Sequence, residues 1–406
     1  MDLRKALLLN NGEFWAVSVA SLFRSFGFGM AWPFFSIYFS TVLGISAFEI
    51  GLIFTASAII SIFVSIGGGV LGDFFGRRSS IVVGSVYGLI IYFALSGLTY
   101  TESHAFLTII LFILSSLSGS LIFPASSALI ADVSGEGERR KAYSLFRVVS
   151  NIGWAAGPLT GAFLYVYGMW VLLVFLAATS IVQLILTLMY VGEHRTVSTG
   201  KIGRRDVVAY DYLLILFSIG SLFMTIVSSQ FLVSLPLYAV NAVHIQPNTT
   251  GYIFAVNGAV VIFGQGPLTR LFRGRTDLAM MITGVGFYSI GYFLVGFSTG
   301  LLDLMLAMIV ITVGEDLTSP ALSTVISVIA PKGKLARYMA FNSMMNQTAR
   351  AIGPSIGSIF LSIYAYNGMK TWGSISLFGI VSILMLMFFS ASRARRMPQA
   401  SDLPSK

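Results

Sequence analysis

The chain consists of long apolar stretches separated by short polar connections. Each stretch has about 20 residues or more, the length that an α-helix needs to cross roughly 30 Å of hydrocarbon. Twelve such stretches follow one another, and we predict a transmembrane helix in each. The predicted spans are Phe14 to Leu43, Ala47 to Phe75, Ser80 to Leu98, Ala105 to Val133, Ala142 to Tyr167, Trp170 to Val191, Tyr212 to Val240, Thr249 to Leu271, Leu278 to Phe297, Leu301 to Ile329, Met339 to Ile363 and Trp372 to Phe389.

The basic residues test this number of spans, because Lys and Arg collect in the short loops on the cytoplasmic side of a membrane. All but four of them lie in the two termini and in alternate connections. The exceptions are Lys370, in a connection on the opposite side, and three arginines inside predicted spans, Arg24, Arg147 and Arg350. We therefore expect a multi-pass protein of the plasma membrane with both termini in the cytoplasm.

Composition agrees with this interpretation, since 56% of the residues are hydrophobic and 10% are charged, against about 25% charged in soluble domains. The net charge of +9 follows from the basic loops, which also favour contact with anionic membrane lipids. No basic face is interleaved with exposed aromatics, so nucleic-acid binding is not expected. The chain has no cysteine and its three histidines lie in separate loops, so we expect neither a metal nor another cofactor.

The two halves of the sequence repeat each other. With a shift of 196 residues, Pro124 aligns with Pro320, and Gly157 and Pro158 align with Gly353 and Pro354. Both halves start in the cytoplasm and have six spans, so the repeat is parallel, about an axis along the membrane normal. The predicted fold is an all-α membrane protein with 12 transmembrane helices in two pseudo-symmetric six-helix bundles, residues 1–192 and 210–406, joined by a cytoplasmic linker, 193–209. We expect the functional cavity on that axis.

One connection carries a recognisable signature. Its residues, between the second and third spans, are Gly69, Leu71, Asp73, Gly76, Arg77 and Arg78. They resemble the loop motif of the major facilitator superfamily, although Phe74 stands where a basic residue is common. The resemblance implies that Asp73, Arg77 and Asp132, at the end of the fourth span, form a charge cluster that stabilises the outward-open state. A tight cytoplasmic turn without a switching role is the alternative.

A second signature lies in the fifth span, where Gly153, Gly157, Pro158 and Gly161 resemble the motif of the 12-helix drug:proton antiporters of the superfamily. Glycines at intervals of four form a smooth stripe for helix packing, and a proline inside a helix favours a bend. The resemblance implies that this bend prevents leaks and biases the protein toward export. Helix packing alone is the alternative.

Charged residues inside spans are expensive and normally face a partner or a watery cavity. Five qualify as candidates for proton coupling, namely Glu315, Asp316, Arg350, Arg147 and Arg24. A carboxylate whose arginine partner moves away during transport would take up a proton there and release it when the arginine returns. We expect Glu315 to do this with Arg350 or Arg147, a static ion pair being the alternative, and Asp316 to point about 100° away around the helix.

The resemblance both supports and weakens proton coupling. Gly314, Glu315 and Pro320 are similar to an arrangement in proton-coupled branches of the superfamily. In contrast, Ser115 occupies a position of the fourth span where the resembled exporters usually carry an arginine. Coupling would then need another arginine, and Arg24 or Arg147 could serve.

Polar and aromatic residues recur at helical spacing on three spans. These residues suit a water-filled pocket that binds an amphipathic or partly apolar solute. For the aromatic residues, contact with lipid or packing in the protein core is an equal alternative. Our candidate substrate-binding residues are Phe28, Phe35, Tyr38, Gln230, Tyr238, Asn241, Asn342 and Asn346.

These observations favour a secondary active transporter with alternating access, acting as a monomer in proton-coupled efflux of drug-like or other small organic solutes. A symporter or facilitator for sugars or organic acids is the alternative. A membrane-embedded enzyme or a receptor is a remote third possibility, because neither a clustered catalytic site nor a sizeable soluble domain is visible in the sequence.

Overall fold

The computed structural model of the protein describes residues 11–134, 138–193, 211–272, 274–331 and 334–396, without the side chains of residues 66–75, 140, 336, 395 and 396. These residues form α-helices and short connections and contain no strand, which confirms the predicted all-α class. The predicted linker, 193–209, lies outside the described residues except for Glu193. The α-helices are α1 (Gly12–Thr41), α2 (Ala47–Phe75), α3 (Arg77–Thr101), α4 (Ala105–Asp132), α5 (Arg139–Tyr165), α6 (Met169–Tyr190), α7 (Tyr212–Ser228), α8 (Ser234–Asn241), α9 (Thr250–Leu271), α10 (Asp277–Val295), α11 (Leu301–Ile329), α12 (Leu335–Ile363) and α13 (Gly368–Arg396).

The first helix of each sequence repeat begins with the same kind of cap. The side chain of Asn11 accepts hydrogen bonds from the backbone N–H groups of Glu13 and Phe14 at the start of α1. Asp211, 200 positions later, accepts one from the N–H of Leu213 at the start of α7. Side-chain acceptors at this position satisfy N–H groups that have no partner inside the helix, which fixes where each helix begins.

The seventh predicted span is not one continuous helix. A 3-10 segment, Ser229–Leu232, separates α7 from α8. Pro236 lies four residues after Leu232 and has no N–H to donate to it, so a regular helix cannot continue there. The side chain of Gln230 compensates part of the lost bonding by donating to the carbonyl of Ile226, at 2.8 Å.

The chain divides into two compact units, Met1–Ile202 with Ile245–Ala255, and Gly203–His244 with Val256–Lys406. In the first unit, α1 packs against α5 and α6, α3 against α4 and α6, and α2 against α4. In the second, α7 packs against α12 and α13, and α10 against α11 and α13. Four of the five helix pairs named for the first unit therefore have a counterpart in the second.

Among the described residues, nine helices are long and apolar enough to cross a membrane. The helices that carry Arg147, Glu315, Asp316 and Arg350, which are α5, α11 and α12, are not among these nine. Four of the five predicted intramembrane charges thus lie on less apolar helices, in line with helices that face partners or water rather than lipid alone, whereas Arg24 lies on α1, which is one of the nine.

Candidate functional site

Glu315 lies near the middle of α11 and is held by an amide from α9. The Nδ2 atom of Asn257 donates to Glu315 Oε2 at 2.9 Å and to Thr312 Oγ1 at 3.0 Å. Thr312 is one turn before Glu315 on the same helix face. The carboxylate therefore has a neutral hydrogen-bond donor as its direct partner, and such a donor can serve a charged carboxylate without providing a countercharge.

Arg350, one of the arginines expected to pair with Glu315, forms no ion pair with it among the described residues. Arg350, on α12 in the same unit, is exposed and interacts with the Glu315 carboxylate electrostatically. No ion pair of 4.0 Å or less involves Arg350 or Arg147 within the described part of the chain. Arg147 lies on the exposed side of α5 in the other unit. The guanidinium of Arg350 thus favours the charged form of the acid without forming an ion pair with it among the described residues.

Asp316 is almost fully buried, with 1% of its surface exposed. Its Oδ2 atom has no hydrogen-bond partner among the described residues. Gly264 of α9 is its close neighbour, since a Cβ added there would lie 3.2 Å from Oδ2. Asn257 and Gly264 are seven residues apart, so Glu315 and Asp316 meet the same helix about two turns apart.

Arg24 points from α1 toward α4. A Cβ added at Gly119 would lie 3.3 Å from its Nη1 atom, so the glycine leaves room for the guanidinium. Ser115, one turn earlier on α4, is buried and donates to the carbonyl of Phe112. Arg24 therefore reaches the same part of α4 in which the resembled exporters carry an arginine of their own.

The loop motif brings two of its predicted charges together. The Nε atom of Arg77 lies 3.5 Å from Asp132 Oδ2, with 12% and 25% of the two side chains exposed. Gly69 and Asp73 belong to α2, but their side chains lie outside the described ones. Among the described side chains, the predicted cluster is represented by the pair of Arg77 and Asp132 at the end of α4.

Two further residues of this motif join α3 to the end of α6. Gly76 has a φ of 103°, a conformation that favours glycine, and a Cβ there would collide with the side chain of Glu193. Arg78 donates from Nη2 to the carbonyl of Leu188 at 2.9 Å. The carboxylate of Glu193 accepts a hydrogen bond from Ser79. The signature thus also organises packing within the first unit.

The glycine stripe of α5 lies directly against the backbone of α1. A Cβ at Gly157 would be 2.6 Å from the carbonyl oxygen of Phe26 and 2.7 Å from the N of Met30. Gly153 and Gly161 meet the carbonyl oxygens of Leu22 and Met30 in the same way. Pro158 lies inside α5. The stripe therefore permits a helix contact that no other residue type would allow.

The candidate substrate-binding residues on α1 divide between two environments. Phe28 is partly exposed and stacks on Trp32 and Trp154, with ring centroids 4.4 and 6.0 Å apart. Phe35 is buried against Phe112, at 4.5 Å. The Tyr38 hydroxyl is buried without a hydrogen-bond partner among the described residues. Of the three, Phe28 is the residue with free surface.

Most candidate residues of the second unit form hydrogen bonds or ring contacts with other helices of the same unit. Gln230 is fully buried and donates to the carbonyl of Gly353, at 2.9 Å. Tyr238 is buried edge-on against Trp372, and Asn241, partly exposed, donates to the carbonyl of Leu237.

Asn342 and Asn346 are also buried, between α12 and α7. Asn342 Nδ2 donates to Ser221 Oγ at 2.8 Å, and Asn346 Nδ2 donates to Asn342 Oδ1 at 2.9 Å. Thr225 of α7 donates to Asn346. Their polar groups are thus occupied within the unit, whereas Arg350 on the same helix is exposed.

Sequence reasoning missed Asn257, which makes the closest contact to Glu315. Its only signal was an amide inside an apolar span, and helical spacing does not reveal which neighbouring helix such a side chain meets. A search for polar residues in the eighth span would have found it as a candidate.

Comparison with known proteins gives a family match over most of the chain. The family model described as "Major Facilitator Superfamily" matches residues 17–354 and, in a second overlapping match, residues 217–404. The "Uncharacterized MFS-type transporter YqjV" of Bacillus subtilis (strain 168) is 27% identical over 361 residues, which are 86% of each chain. The "Quinolone resistance protein NorA" of Staphylococcus aureus (strain MSSA476) is 23% identical over 379 residues, 88% of this chain and 92% of the relative.

Solved structures share the fold at low sequence identity. A bacterial homologue of the human lysosomal transporter Spinster, in an inward-facing and unoccupied conformation, has a TM-score of 0.74 at 12% identity and covers 95% of this chain and 98% of its own. A peptide transporter POT in complex with sulfate has a TM-score of 0.76 at 16% identity, with 96% of each chain covered.

Proposed function

The chain belongs to the Major Facilitator Superfamily, a family of transporters and not of enzymes, and on that premise we propose that it exports drug-like or other small organic solutes in exchange for protons. Transport would proceed by alternating access, in which the solute site opens to one side of the membrane at a time. The relative named for quinolone resistance supports a drug-like cargo. The expected setting is a monomer in the plasma membrane, in contact with its lipids and with both termini in the cytoplasm.

The observation that carries the proposal is the bonding of Glu315. Its carboxylate is in the middle of a membrane-spanning helix, its direct partner is the neutral amide of Asn257 at 2.9 Å, and Arg350 is near it without an ion pair. A carboxylate held in this way can gain or lose a proton with a small movement of the arginine, because the amide bonds to either form. A locked buried ion pair would resist that exchange.

The proposed cycle assigns the other predicted residues to separate tasks. Asp316 is a second site for protonation, while Arg24 and Arg147 provide the further charges for coupling. The pair formed by Arg77 and Asp132 sets the balance between conformations, and the glycine stripe of α5 keeps the helix contact tight. The solute would contact Phe28, the candidate on α1 that is partly exposed.

The proton assignment is tested in proteoliposomes with Glu315→Gln. The glutamine keeps the size and the hydrogen bond but cannot take up a proton. We expect loss of pH-gradient-driven uptake of a quinolone or of ethidium, while exchange of the same solute across the membrane continues without a gradient.

Asp303→Asn is the matched control, because Asp303 is a partly exposed carboxylate at the beginning of the same helix and accepts a hydrogen bond from the N–H of Thr299. It should leave gradient-driven transport intact. Unchanged gradient dependence in Glu315→Gln would exclude Glu315 as the proton carrier. Counterflow by the wild type with no response to a gradient would instead identify a facilitator.

A further inference from the structure

Arg24 is a charged residue deep in α1, and among the described arginines of the first unit it alone lines an internal cavity. It lies about 12 residues after the beginning of α1, or roughly 18 Å along the helix, among the side chains of α3, α4 and α6. A guanidinium at this depth needs a countercharge or water to remain charged.

No carboxylate of the described part of the first unit lies at this depth. Each of them is at a helix end or in a connection, whereas Arg24 lies well inside α1. These carboxylates are Glu13, Glu49, Glu102, Asp132, Glu138 and Glu193. Asp73, whose side chain is outside the described ones, also belongs to the end of a helix. Arg24 has no ion pair or hydrogen bond of its own among the described residues.

The guanidinium instead lines a small cavity inside the unit. The polar residues around this Arg24 cavity are Arg24, Tyr92, Ser118, Thr179, Ser180 and Gln183. The cavity volume of about 10 Å³ is close to the least that holds one water molecule or one small ion. An organic solute does not fit there.

The polar groups around the cavity are only partly satisfied. Gln183 is 1% exposed, and its Oε1 atom has no hydrogen-bond partner within the described residues. The Tyr92 hydroxyl is 3.5 Å from the carbonyl of Ser115, and the Ser180 hydroxyl is 3.4 Å from that of Leu176. These distances are at the long limit of hydrogen bonds, so both hydroxyls can turn to a ligand, and the amide of Gln183 can present its NH₂ group after a flip.

The Arg24 cavity therefore combines a positive charge with up to three neutral donors and contains no acidic group from the described residues. A single water molecule would satisfy hydrogen bonds but would leave the charge uncompensated. We propose that the Arg24 cavity binds one monoatomic anion, with chloride as the physiological class of ligand. The anion would neutralise Arg24 and tie α1 to α3 and α6.

The test compares chloride with gluconate at equal ionic strength, using the purified full-length protein in detergent. Phe28, which also lines the cavity, stacks on Trp32 and Trp154, so tryptophan fluorescence reports both binding and thermal unfolding. We expect the Tm to rise by several degrees in chloride or bromide, because a ligand that binds the folded state alone stabilises it. Arg24→Gln should abolish this rise.

Arg147→Gln is the matched control, since Arg147 is an exposed arginine of the same unit, and it should keep the chloride response. Equal Tm values of the wild type in chloride and gluconate would overturn the proposal and assign the cavity to water, whatever the variants do. A chloride response that persists in Arg24→Gln would overturn it as well. If Arg24→Gln does not fold, an anomalous peak of bromide beside Arg24 in wild-type crystals decides the question, and its absence counts against the site.

The test of the anion site is independent of the test of Glu315, because anion binding is measured without a gradient or a transported solute. Failure of the anion site would leave Glu315 as the proposed proton carrier, and failure of Glu315 would leave the anion site unchanged.

Discussion

Single glycines determine how closely α1 and α5 approach. At Gly157 the nearest atoms to an added Cβ are backbone atoms of α1, which cannot turn aside as a flexible side chain would. The sequence predicted the stripe from the interval of four residues. It could not show that the partner is α1, because spacing identifies a helix face and not the helix that covers it.

Gly157→Ala should therefore destabilise the first unit. The methyl group would be forced to within 2.6 Å of the Phe26 carbonyl oxygen, and overpacking of this kind costs about 1–3 kcal/mol. We expect a fall of several degrees in the Tm of the purified protein, measured by tryptophan fluorescence.

Gly97→Ala provides the comparison for that measurement. Gly97 lies in α3 of the same unit, and an added Cβ there meets no atom within 4 Å. Alanine is also the better helix former, so Gly97→Ala should leave the Tm unchanged or raise it. Equal losses in the two variants would contradict the close contact.

Asn257 and Asp316 mark the limit of sequence reasoning at the residue scale. The free-energy cost of a charge inside a membrane span identified the two acids of α11 as unusual. Which residues of α9 contact them depends on how α9 is rotated about its axis. The rotation is fixed by many small packing contacts, and no short pattern in the sequence encodes it.

Helices were the best-predicted level of the structure. The predicted bounds of the second and tenth spans, Ala47 to Phe75 and Leu301 to Ile329, are those of α2 and α11, because glycine, proline and charges limit these apolar runs on both sides. The break between α7 and α8 was missed. Hydropathy does not reveal the break, since the Gln230 side chain donates to the backbone carbonyl of Ile226 and accepts from Ser234 within the same apolar stretch.

The amide and hydroxyl network between α7 and α12 makes a prediction about Asn346, which was expected to bind solute. Asn346 donates to Asn342 Oδ1 and accepts from Thr225. Asn346→Leu should lower thermal stability by about 0.6–1.7 kcal/mol, the range of measured polar contacts between membrane helices. The apparent Kd for the solute should change little in the folded fraction.

Thr348→Val serves as the control, since Thr348 is exposed on the same helix and bonds only to the backbone of its own helix. It should leave both stability and affinity close to those of the wild type. A large loss of solute affinity in Asn346→Leu, without a change in Tm, would restore the solute-binding role that the spacing predicted.

At the scale of the whole molecule, the sequence repeat predicts that helices in corresponding positions pack against corresponding neighbours in the two units. The packing of α1 with α5 and of α7 with α12 agrees with this prediction. The charges break this equality. Arg24 lies in the first unit, whereas Glu315, Asp316 and Arg350 lie in the second. Inside its predicted spans the first unit thus has two arginines, Arg24 and Arg147, whereas the second has two acids and one arginine.

The pair of Arg77 and Asp132 allows the proposed movement of the molecule to be tested. Both side chains are partly exposed, and pairs of this kind contribute about 0–1 kcal/mol. Asp132→Asn should therefore change the ratio of two conformations by up to about fivefold, by weakening the one in which the pair is formed. The chain has no cysteine, so spin labels can be attached at Thr101→Cys and Thr299→Cys alone, and the distances between them followed by electron paramagnetic resonance.

A double-mutant comparison separates the pair from a general charge effect, because two residues that act together give non-additive changes. Arg77→Gln and Asp132→Asn should each shift the label distances in the same direction, and the double variant should shift them no further. Glu138→Gln, which removes another acid beside the connection of α4 and α5, should leave them unchanged. Additive shifts in the double variant would mean that Arg77 and Asp132 act on the conformations separately, and the loop motif would then be a packing element of the first unit.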